Sequence, residues 1–259
     1  MPKFCANLSF LFTEVPFPER FAAAAAAGFS GVEYLFPYAF PASDLARWLT
    51  AAHLEQVLFN LPAGDWMAGE RGLACLPGRE EEVRAGAADA LAYARVLGCR
   101  RLHCLAGLRP ADGDEETLHA TYRDNLRYCA DLLAADGITL LIEPINSRVD
   151  MPGYWLDTPA KAFALRNEIA RPNVQVQYDI YHAQIMAGDL ARTLETHLAA
   201  IGHIQAADNP GRHEPGSGEI NFPYLFRLLD RLGYAGWVGC EYTPESGTGA
   251  GLDWLQRWR

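Results

Sequence analysis

Short runs of β-forming residues alternate with longer runs of helical periodicity along the whole 259-residue chain. The alternation repeats eight times, and no shift in composition or low-complexity linker marks a boundary between domains. Eight strand–helix units in about 250 residues favour a parallel sheet that closes on itself. We therefore predict an α/β fold with residues 1–259 forming a single (β/α)8 barrel of the TIM-barrel type. The predicted strands are KFCANLSF, GVEYLF, EQVLFNLP, RRLHCLAG, TLLIEPI, NVQVQYDI, HIQAAD and GWVGCEYT.

Signals at the ends of the helical runs support this assignment. Thr158 precedes Pro159, and proline is favoured at the first position of a helix. No GxGxxG or GxxxxGK[ST] loop follows a predicted strand, which argues against a nucleotide-binding sheet. The longest connection, residues 63–79, is of the length expected for a functional loop such as a lid. Glycines follow four of the helical runs, where a helix often ends on a left-handed residue: Gly28, Gly98, Gly137 and Gly233.

The composition limits the kinds of partner and compartment. The chain has 22 Lys and Arg against 32 Asp and Glu, a formal net charge of -10 at pH 7. Nucleic acids and anionic membranes select a basic surface, so we expect neither as a partner. The start of the chain lacks the charged and apolar order of a signal peptide, and no apolar window is long enough to span a bilayer. We expect a cytoplasmic protein, with reduced core thiols at Cys5, Cys99, Cys104 and Cys240.

Seven of the eight predicted strands end on residues that can bind a metal ion or move a proton. The active site of such a barrel lies at the carboxyl ends of its strands, so these residues should meet. Converging carboxylates raise one another's pKa unless a cation neutralises them, and oxygen ligands suit Mg²⁺ or Mn²⁺. A metal with spare carboxylates beside it indicates enolisation of a carbonyl substrate. The strand-end residues are Glu33, Asn60, His103, Glu143, Asp179, Gln205 or Asp208, and Glu241.

Five segments of the chain are similar to the hydroxypyruvate isomerase family, within the xylose isomerase-like barrel superfamily. They read NLPAGDWMAGERG, LLIEPIN, QVQYDIYH, GHIQAADNPGRHEPGSGEIN and GWVGCEYTP, and the likeness runs over nearly the whole chain. The resemblance implies that Glu143, Asp179, Gln205 and Glu241 hold one divalent metal ion. It also implies that Glu143 and Glu241 form the acid/base pair. The implied reaction interconverts hydroxypyruvate and tartronate semialdehyde by proton transfer through a cis-enediolate.

Other residues are candidates for binding the small 2-oxo or hydroxy acid. The family pattern favours a substrate contact for His182, whereas His103 and Asn60 could equally serve local structure. A substrate carboxylate suits an arginine fork. Arg71 and Arg212, both in glycine-rich loops after strands, are therefore expected to bind it. The structural alternative is that each arginine pairs with its neighbouring glutamate, Glu70 or Glu214.

Several other functions compete with this interpretation. A 2-oxo-tetronate isomerase would use the same chemistry in a longer pocket, and a ketose 3-epimerase would usually carry histidine in place of Gln205. An endonuclease IV-type phosphodiesterase would need a histidine-rich multi-zinc site and a basic groove. A barrel that only binds sugar acids would not need two poised carboxylates. Trp254 and Trp258, four apart on the last predicted helix, are expected to pack on the barrel, and a homo-oligomer with a partner subunit on this stripe stays open.

Overall fold

Eight parallel strands form a closed barrel in the computed structural model, which describes residues 2–258. Each strand pairs with its neighbours in the sequence, and β1 pairs with β8 to complete the circle. The predicted (β/α)8 topology is therefore confirmed. The strands are β1 (Lys3–Asn7), β2 (Gly31–Glu33), β3 (Glu55–Asn60), β4 (Arg101–His103), β5 (Thr139–Ile142), β6 (Val174–Asp179), β7 (Ile201–Ala206) and β8 (Trp237–Cys240).

Helices connect the strands and end where the sequence indicates. Thr158 caps the helix that follows β5, its hydroxyl accepting from the backbone amide of Lys161, and the four predicted glycines all have positive φ. A seven-residue helix directly after β6 was not predicted, because its apolar sequence continues that of the strand. The helices are α1 (Phe17–Ala26), α2 (Ala42–Ala52), α3 (Glu80–Leu97), α4 (Glu115–Ala134), α5 (Pro159–Ile169), α6 (Ile180–Met186), α7 (Leu190–His197) and α8 (Phe222–Arg231), with 3-10 helices at Leu198–Ala200 and Ala250–Trp258.

The first strand is shorter than predicted, and this changes its last residue. The amides of Phe10 and Leu11 turn back to the carbonyl of Asn7 at 3.1 and 2.8 Å, so β1 ends at Asn7. Asn7 pairs in register with Glu33 at the end of β2. β1, the one strand not predicted to end on such a residue, therefore also ends on a polar side chain. All eight strands contribute a polar side chain at the carboxyl end of the barrel.

Apolar packing fills both sides of the sheet. A large cluster packs between the strands and the surrounding helices. A smaller cluster fills the barrel interior two to four positions before the polar strand ends: Cys5, Val57, Leu58, Leu141 and Trp237. This plug leaves the polar strand ends at the carboxyl mouth of the barrel. All six cysteines are buried, and none is joined to another by a disulfide bond.

The last segment packs on the barrel as expected but with different backbone geometry. Trp254 and Trp258 lie on the last helix, as predicted, and this helix, Ala250–Trp258, is a 3-10 helix. Both rings pack against Phe226 of α8, at centroid distances of 5.7 and 5.2 Å. In the described part of the chain, residues 2–258, no helix has the length and apolarity needed to cross a membrane.

Candidate active site

A cavity of about 260 Å³ opens at the carboxyl mouth of the barrel. Its volume is below the roughly 300–1,000 Å³ of sites for drug-sized ligands, so it suits a small substrate. Of the two residues predicted for the end of β7, Gln205 lines the cavity. Asp208 instead accepts hydrogen bonds from three loop amides, including that of Ile220 at 3.0 Å. The predicted site residues that line the cavity are Glu33, Asn60, Arg71, His103, Glu143, His182, Gln205, Arg212 and Glu241.

Glu143 and Asp179 lie with His182 at one side of this site. One ligand atom from each of the three lies within 4.8 Å of the other two. The Asp179 Oδ1 atom caps α6 by accepting from the amides of Tyr181 and His182, so Oδ2 is not used for the cap. Oδ2 of Asp179 and Oε1 of Glu143 are both buried and have no hydrogen-bond partner. They lie 3.8 and 3.9 Å from Nε2 of His182.

Burial sets the charge of these groups. Burial, reinforced by Glu241 and Asp179, raises the pKa of Glu143 well above its usual value. Burial also raises the pKa of Asp179 to about 6, although Arg212 acts in the opposite direction. The pKa of His182 is well below its usual value, because of burial and then the charge of Arg212, so His182 is neutral. The ionised carboxylates are thus costly to maintain at this side of the site without an added cation.

Glu241 lies on the other side of the site and is fully hydrogen-bonded. Its Oε2 atom accepts from Nδ2 of Asn7 at 2.8 Å and Nε2 of Gln205 at 2.5 Å. Its Oε1 atom accepts from the Arg212 guanidinium at 2.8 Å. Burial still raises the pKa of Glu241 to about 8, with Arg212 lowering it and Asp179 raising it further. Asn7 was not predicted as a site residue, because its strand was assumed to continue to Phe10.

Unsatisfied carboxylate oxygens fit a metal ion at this site. Two buried oxygens without partners, on Glu143 and Asp179, face the same histidine. Several carboxylates share the cavity region with one buried arginine, Arg212, so the local charge is negative. Oxygen donors of this kind suit a hard divalent cation. The residues present therefore fit the group that the sequence implies.

The carboxamide of Gln205 has a different orientation from that of a metal ligand. Its nitrogen faces Glu241 and Glu33, and its oxygen accepts from Nε2 of Gln177 at 2.7 Å. Metal ligation through the oxygen would require this amide to turn by half a rotation. Of the four predicted ligands, Glu143 and Asp179 already present free oxygens, whereas Glu241 and Gln205 are engaged in hydrogen bonds.

The loop after β5 connects the two sides. Asp150 accepts from the Arg212 guanidinium at 3.0 Å through Oδ1, and from Asn146 at 2.6 Å and the Tyr181 hydroxyl at 2.9 Å through Oδ2. Nδ2 of Asn146 also lies 2.8 Å from Nδ1 of His182, which fixes the ring. Neither Asn146 nor Asp150 was predicted, because in a single sequence nothing separates them from ordinary loop polar residues.

The two predicted arginines have different surroundings. Arg212 is occupied by Glu241 and Asp150, and not by Glu214. Arg71 stacks on Trp66 at 4.1 Å and donates to the backbone carbonyls of Trp66 and Glu70. Within residues 2–258, no carboxylate lies within 4.0 Å of the Arg71 guanidinium, whereas the Glu70 carboxylate pairs with Arg79. The structural alternative, pairing of each arginine with its neighbouring glutamate, is therefore wrong for both.

His103 and Asn60 contact each other at the ends of adjacent strands. Nδ1 of His103 lies 3.2 Å from Oδ1 of Asn60 and 3.6 Å from Oε2 of Glu143. Burial, and then His203, lowers the pKa of His103 to about 3, so the ring is neutral. Its Nε2 atom is buried without a partner. The pair can offer a neutral polar contact to a ligand next to Glu143.

Comparisons with known proteins agree with the fold. Residues 21–258 match the family model described as xylose isomerase-like TIM barrel. A 2-oxo-tetronate isomerase from Cupriavidus necator is 54% identical over 99% of this chain and 98% of its own. The hydroxypyruvate isomerase of Escherichia coli K12 is 51% identical over 100% of both chains.

Solved structures show the same architecture. A crystal structure from Brucella melitensis, named as an AP endonuclease of family 2, has a TM-score of 0.98 and 52% identity over 100% of both chains. The 3-keto-D-glucoside 4-epimerase of Escherichia coli is only 21% identical but has a TM-score of 0.83 over 99% of both chains, a likeness of fold. The chain thus belongs to the xylose isomerase-like TIM barrel family and, like its two full-length named relatives, is an isomerase.

Proposed function

We propose that the protein interconverts hydroxypyruvate and tartronate semialdehyde by proton transfer between adjacent carbons. The observation that carries this proposal is the pair of buried glutamates, Glu143 and Glu241, both lining one small cavity and both with raised pKa values. A carboxylate that can hold or release a proton near neutral pH is suited to acid/base catalysis.

Two glutamates divide the proton transfers in this scheme. One removes a proton from C3, the hydroxyl-bearing carbon, and gives a cis-enediolate. A proton is then added to C2, while the hydroxyl proton moves from the oxygen of C3 to that of C2. The sum is an isomerisation, so no oxidant, reductant or hydride acceptor is consumed. Asn7, Gln205 and Arg212 hold Glu241 in place for its part in this transfer.

One divalent cation, Mg²⁺ or Mn²⁺, completes the proposed site. Glu143 and Asp179 would hold it, joined by Glu241 and Gln205 after the Gln205 amide turns. When bound, such an ion supplies positive charge beside the oxygens of the substrate. The free oxygens of Glu143 and Asp179 support this assignment.

The two arginines have separate roles in the proposal. Arg71 has no acidic partner within residues 2–258 and lines the cavity, so it is the arginine available for the carboxylate of the substrate. Arg212 already bonds to Glu241 and contacts the site from the opposite side. Neutral His103 and His182 offer polar contacts for the substrate oxygens, with Asn60 orienting His103.

A second candidate substrate is a four-carbon 2-oxo acid. The relative named 2-oxo-tetronate isomerase is 54% identical to this chain, and the one named hydroxypyruvate isomerase is 51% identical. The chemistry would be unchanged, and only the length of the acid would differ. An endonuclease is disfavoured, because a formal charge of -10 opposes binding of DNA phosphates.

The deciding experiment is a substrate panel with Mg²⁺ or Mn²⁺ present. We expect the highest kcat/KM for hydroxypyruvate, followed by the four-carbon acids, and turnover in deuterated water should place deuterium on C2 of the product. A higher kcat/KM for 2-oxo-tetronate would make the four-carbon acid the preferred substrate and would leave the proposed chemistry unchanged. Binding of these acids without turnover of any would contradict the enzymatic function.

A further inference from the structure

Glu33, at the end of β2, is a buried carboxylate that the proposed reaction does not use. Its Oε1 atom accepts from Nδ2 of Asn7 at 3.1 Å and Nε2 of Gln205 at 2.8 Å. Its Oε2 atom lies 2.7 Å from Nε2 of His203 and accepts from Sγ of Cys5 at 3.3 Å. The residue is only 1% exposed. Burial of a carboxylate is costly unless it is well paired, so this constellation calls for a role that justifies it.

Glu33 and Glu241 share two amide donors. The same Nδ2 of Asn7 and Nε2 of Gln205 that donate to Glu33 also donate to Oε2 of Glu241, at 2.8 and 2.5 Å. A carboxamide nitrogen carries two N–H groups, so each amide can serve one carboxylate with each hydrogen. Oδ1 of Asn7 accepts from the Ser9 amide at 3.0 Å, which fixes the direction of this amide.

The barrel backbone leaves room for the Glu33 carboxylate at one glycine. Gly239 of β8 lies in register with Gln205 of β7 and with Cys5 of β1. A Cβ atom at position 239 would lie 2.3 Å from Oε1 of Glu33, which is closer than any real contact. Any larger residue at this position would push the carboxylate away from the two amides.

The hydrogen bonds of Glu33 argue against a second metal site at this residue. Ligand atoms of Cys5, Glu33 and His203 lie within 4.8 Å of one another. Both oxygens of Glu33, however, already have two polar partners each, unlike the free oxygens of Glu143 and Asp179. Glu33 is therefore held by protein groups on both oxygens and offers no free ligand atom.

We propose that Glu33 is a positioning residue that fixes Glu241 through the side-chain amide of Asn7, with the amide of Gln205 as a second link until it turns toward a bound metal ion. The inference rests on the proposed function, in which Glu241 transfers a proton. Such transfers are sensitive to small misplacements of the base, so a residue that anchors the amide donors of Glu241 affects the rate without touching the substrate. Loss of a hydrogen-bonding partner of this kind typically costs about 10–100-fold in activity or metal affinity.

A double-mutant cycle tests the proposal. Glu33→Gln keeps the size of the side chain but replaces one acceptor oxygen with a donor that faces other donors. In the parent enzyme, saturated with Mn²⁺, this change should lower kcat by about 10–100-fold. In a Glu241→Gln background it should leave the residual kcat nearly unchanged, because the group that it positions is already gone. The melting temperature should fall equally in both backgrounds.

Controls separate positioning from a structural role. Cys5→Ala removes a contact to Glu33 but none to Glu241, so its kcat should stay close to that of the parent. If Glu33→Gln does not fold, Gly239→Ala moves the Glu33 carboxylate while removing no donor of Glu241, and the same cycle with Glu241→Gln applies. A crystal structure of the Glu33→Gln or Gly239→Ala variant should show Glu241 displaced or disordered.

Two results would overturn the proposal. One is an equal loss of kcat in both backgrounds, which would make Glu33 structural. The other is an unchanged kcat in a folded Glu33→Gln variant with Glu241 unmoved. A parent protein that turns over none of the acids would instead refute the proposed function, and the position of Glu241 in the crystal would still test the hydrogen-bonded anchor.

Discussion

The two sides of the candidate active site differ in how their carboxylates are hydrogen-bonded. On one side, which we term the unpaired half, Glu143 and Asp179 each keep a buried oxygen without a hydrogen-bond partner. On the other, the bonded half, Glu33 and Glu241 share amide donors, and Glu241 also bonds to Arg212. All four groups lie at strand ends of one barrel. The difference therefore comes from the side chains that each neighbouring strand supplies.

This contrast shows which half has its hydrogen bonds satisfied without a ligand. The bonded half is already organised, as expected for a group that must be held at a fixed position before reaction. The unpaired half has a raised pKa at both carboxylates although the charge of Arg212 acts in the opposite direction, as expected for a site that gains charge balance on binding a further cation. The bonded half thus holds Glu241 for proton transfer, whereas the unpaired half is suited to binding a cation beside Glu143, the other glutamate of the proposed acid/base pair.

The largest expected effect comes from the two glutamates that we propose as the acid/base pair. Glu143→Gln and Glu241→Gln should each lower kcat by roughly 10²–10⁴, the usual contribution of a positioned acid or base. The halves should differ in metal binding, because Glu143 offers a free oxygen and Glu241 does not. We expect the larger loss of Mn²⁺ affinity in Glu143→Gln, measured by calorimetric titration alongside the kinetics.

Isotope labelling from deuterated water can contradict the prediction that these glutamates transfer protons. A hydride shift would never exchange hydrogen with solvent, whereas a carboxyl base can do so before returning the proton. Absence of deuterium in the product, together with near-normal rates in both metal-loaded glutamine variants, would exclude proton transfer by these residues.

Asp179→Asn should have the next largest effect. It removes the charge of the unpaired half but keeps an oxygen to cap α6, so the fold should survive. We expect a loss of Mn²⁺ affinity greater than the roughly 10–100-fold typical of an outer-shell partner. Chelator should abolish the activity of the parent, and added Mg²⁺ or Mn²⁺ should restore it. Full activity in a verified metal-free preparation would show that the unpaired half has another purpose.

Most of the fold and of the unpaired half could be predicted from the sequence. Hydrophobic periodicity and turn signals depend on residues close together in the chain, so the eight strands and most helices can be predicted from the sequence. Glu143 and Asp179 directly follow apolar strand runs, where a carboxylate is conspicuous. His182 lies one helical turn after Asp179, so α6 brings both to the same place.

The bonded half depends on contacts that a single sequence cannot reveal. Asn7 and Glu241 are 234 positions apart in the chain, and only closure of the barrel between β1 and β8 brings them together. Glu33 was recognised as a strand-end residue, but its partners come from β1 and β7. Asp150 approaches Arg212 only because two loops fold over the mouth.

Replacement of the two arginines should separate substrate binding from support of Glu241. Arg71→Ala should cost on the order of 1.5–3 kcal/mol in kcat/KM for hydroxypyruvate, the range for a hydrogen bond to a charged group. The cost should be much smaller for dihydroxyacetone, a neutral analogue without the carboxylate. Arg212→Ala should impair both substrates, since it removes a partner of Glu241 in the bonded half.

An exposed arginine provides the matched control for this comparison. Arg84→Ala, on the surface of α3, should change neither kcat/KM value. If Arg71→Ala impairs the acid and the neutral analogue equally, the loop that carries Arg71 has a structural role and another group binds the carboxylate.

The smallest effect concerns the stability of the metal-free protein as a function of pH. The pKa values of Asp179 and Glu241 in the folded protein, about 6 and about 8, lie above their ordinary values of 3.8 and 4.5. Between the ordinary and the folded values, the native state binds more protons than the unfolded state, so stability falls as pH rises. Stabilisation by the protonated carboxyls is therefore complete below about pH 4 and lost by about pH 8.

Thermal unfolding in the presence of chelator measures this decline. Each kcal/mol lost should lower Tm by roughly 2–4 °C for a protein near this size. Saturating Mn²⁺ should flatten the dependence above pH 6, because a cation in the unpaired half favours the ionised carboxylates. Glu241→Gln removes one of the groups with a raised folded pKa, so it should reduce the fall between about pH 6 and pH 8, leaving the contribution of Glu143 and the fall due to Asp179. A metal-free protein that becomes more stable over this range would mean that the carboxylates of the unpaired half are satisfied without a cation, and the contrast between the two halves would disappear.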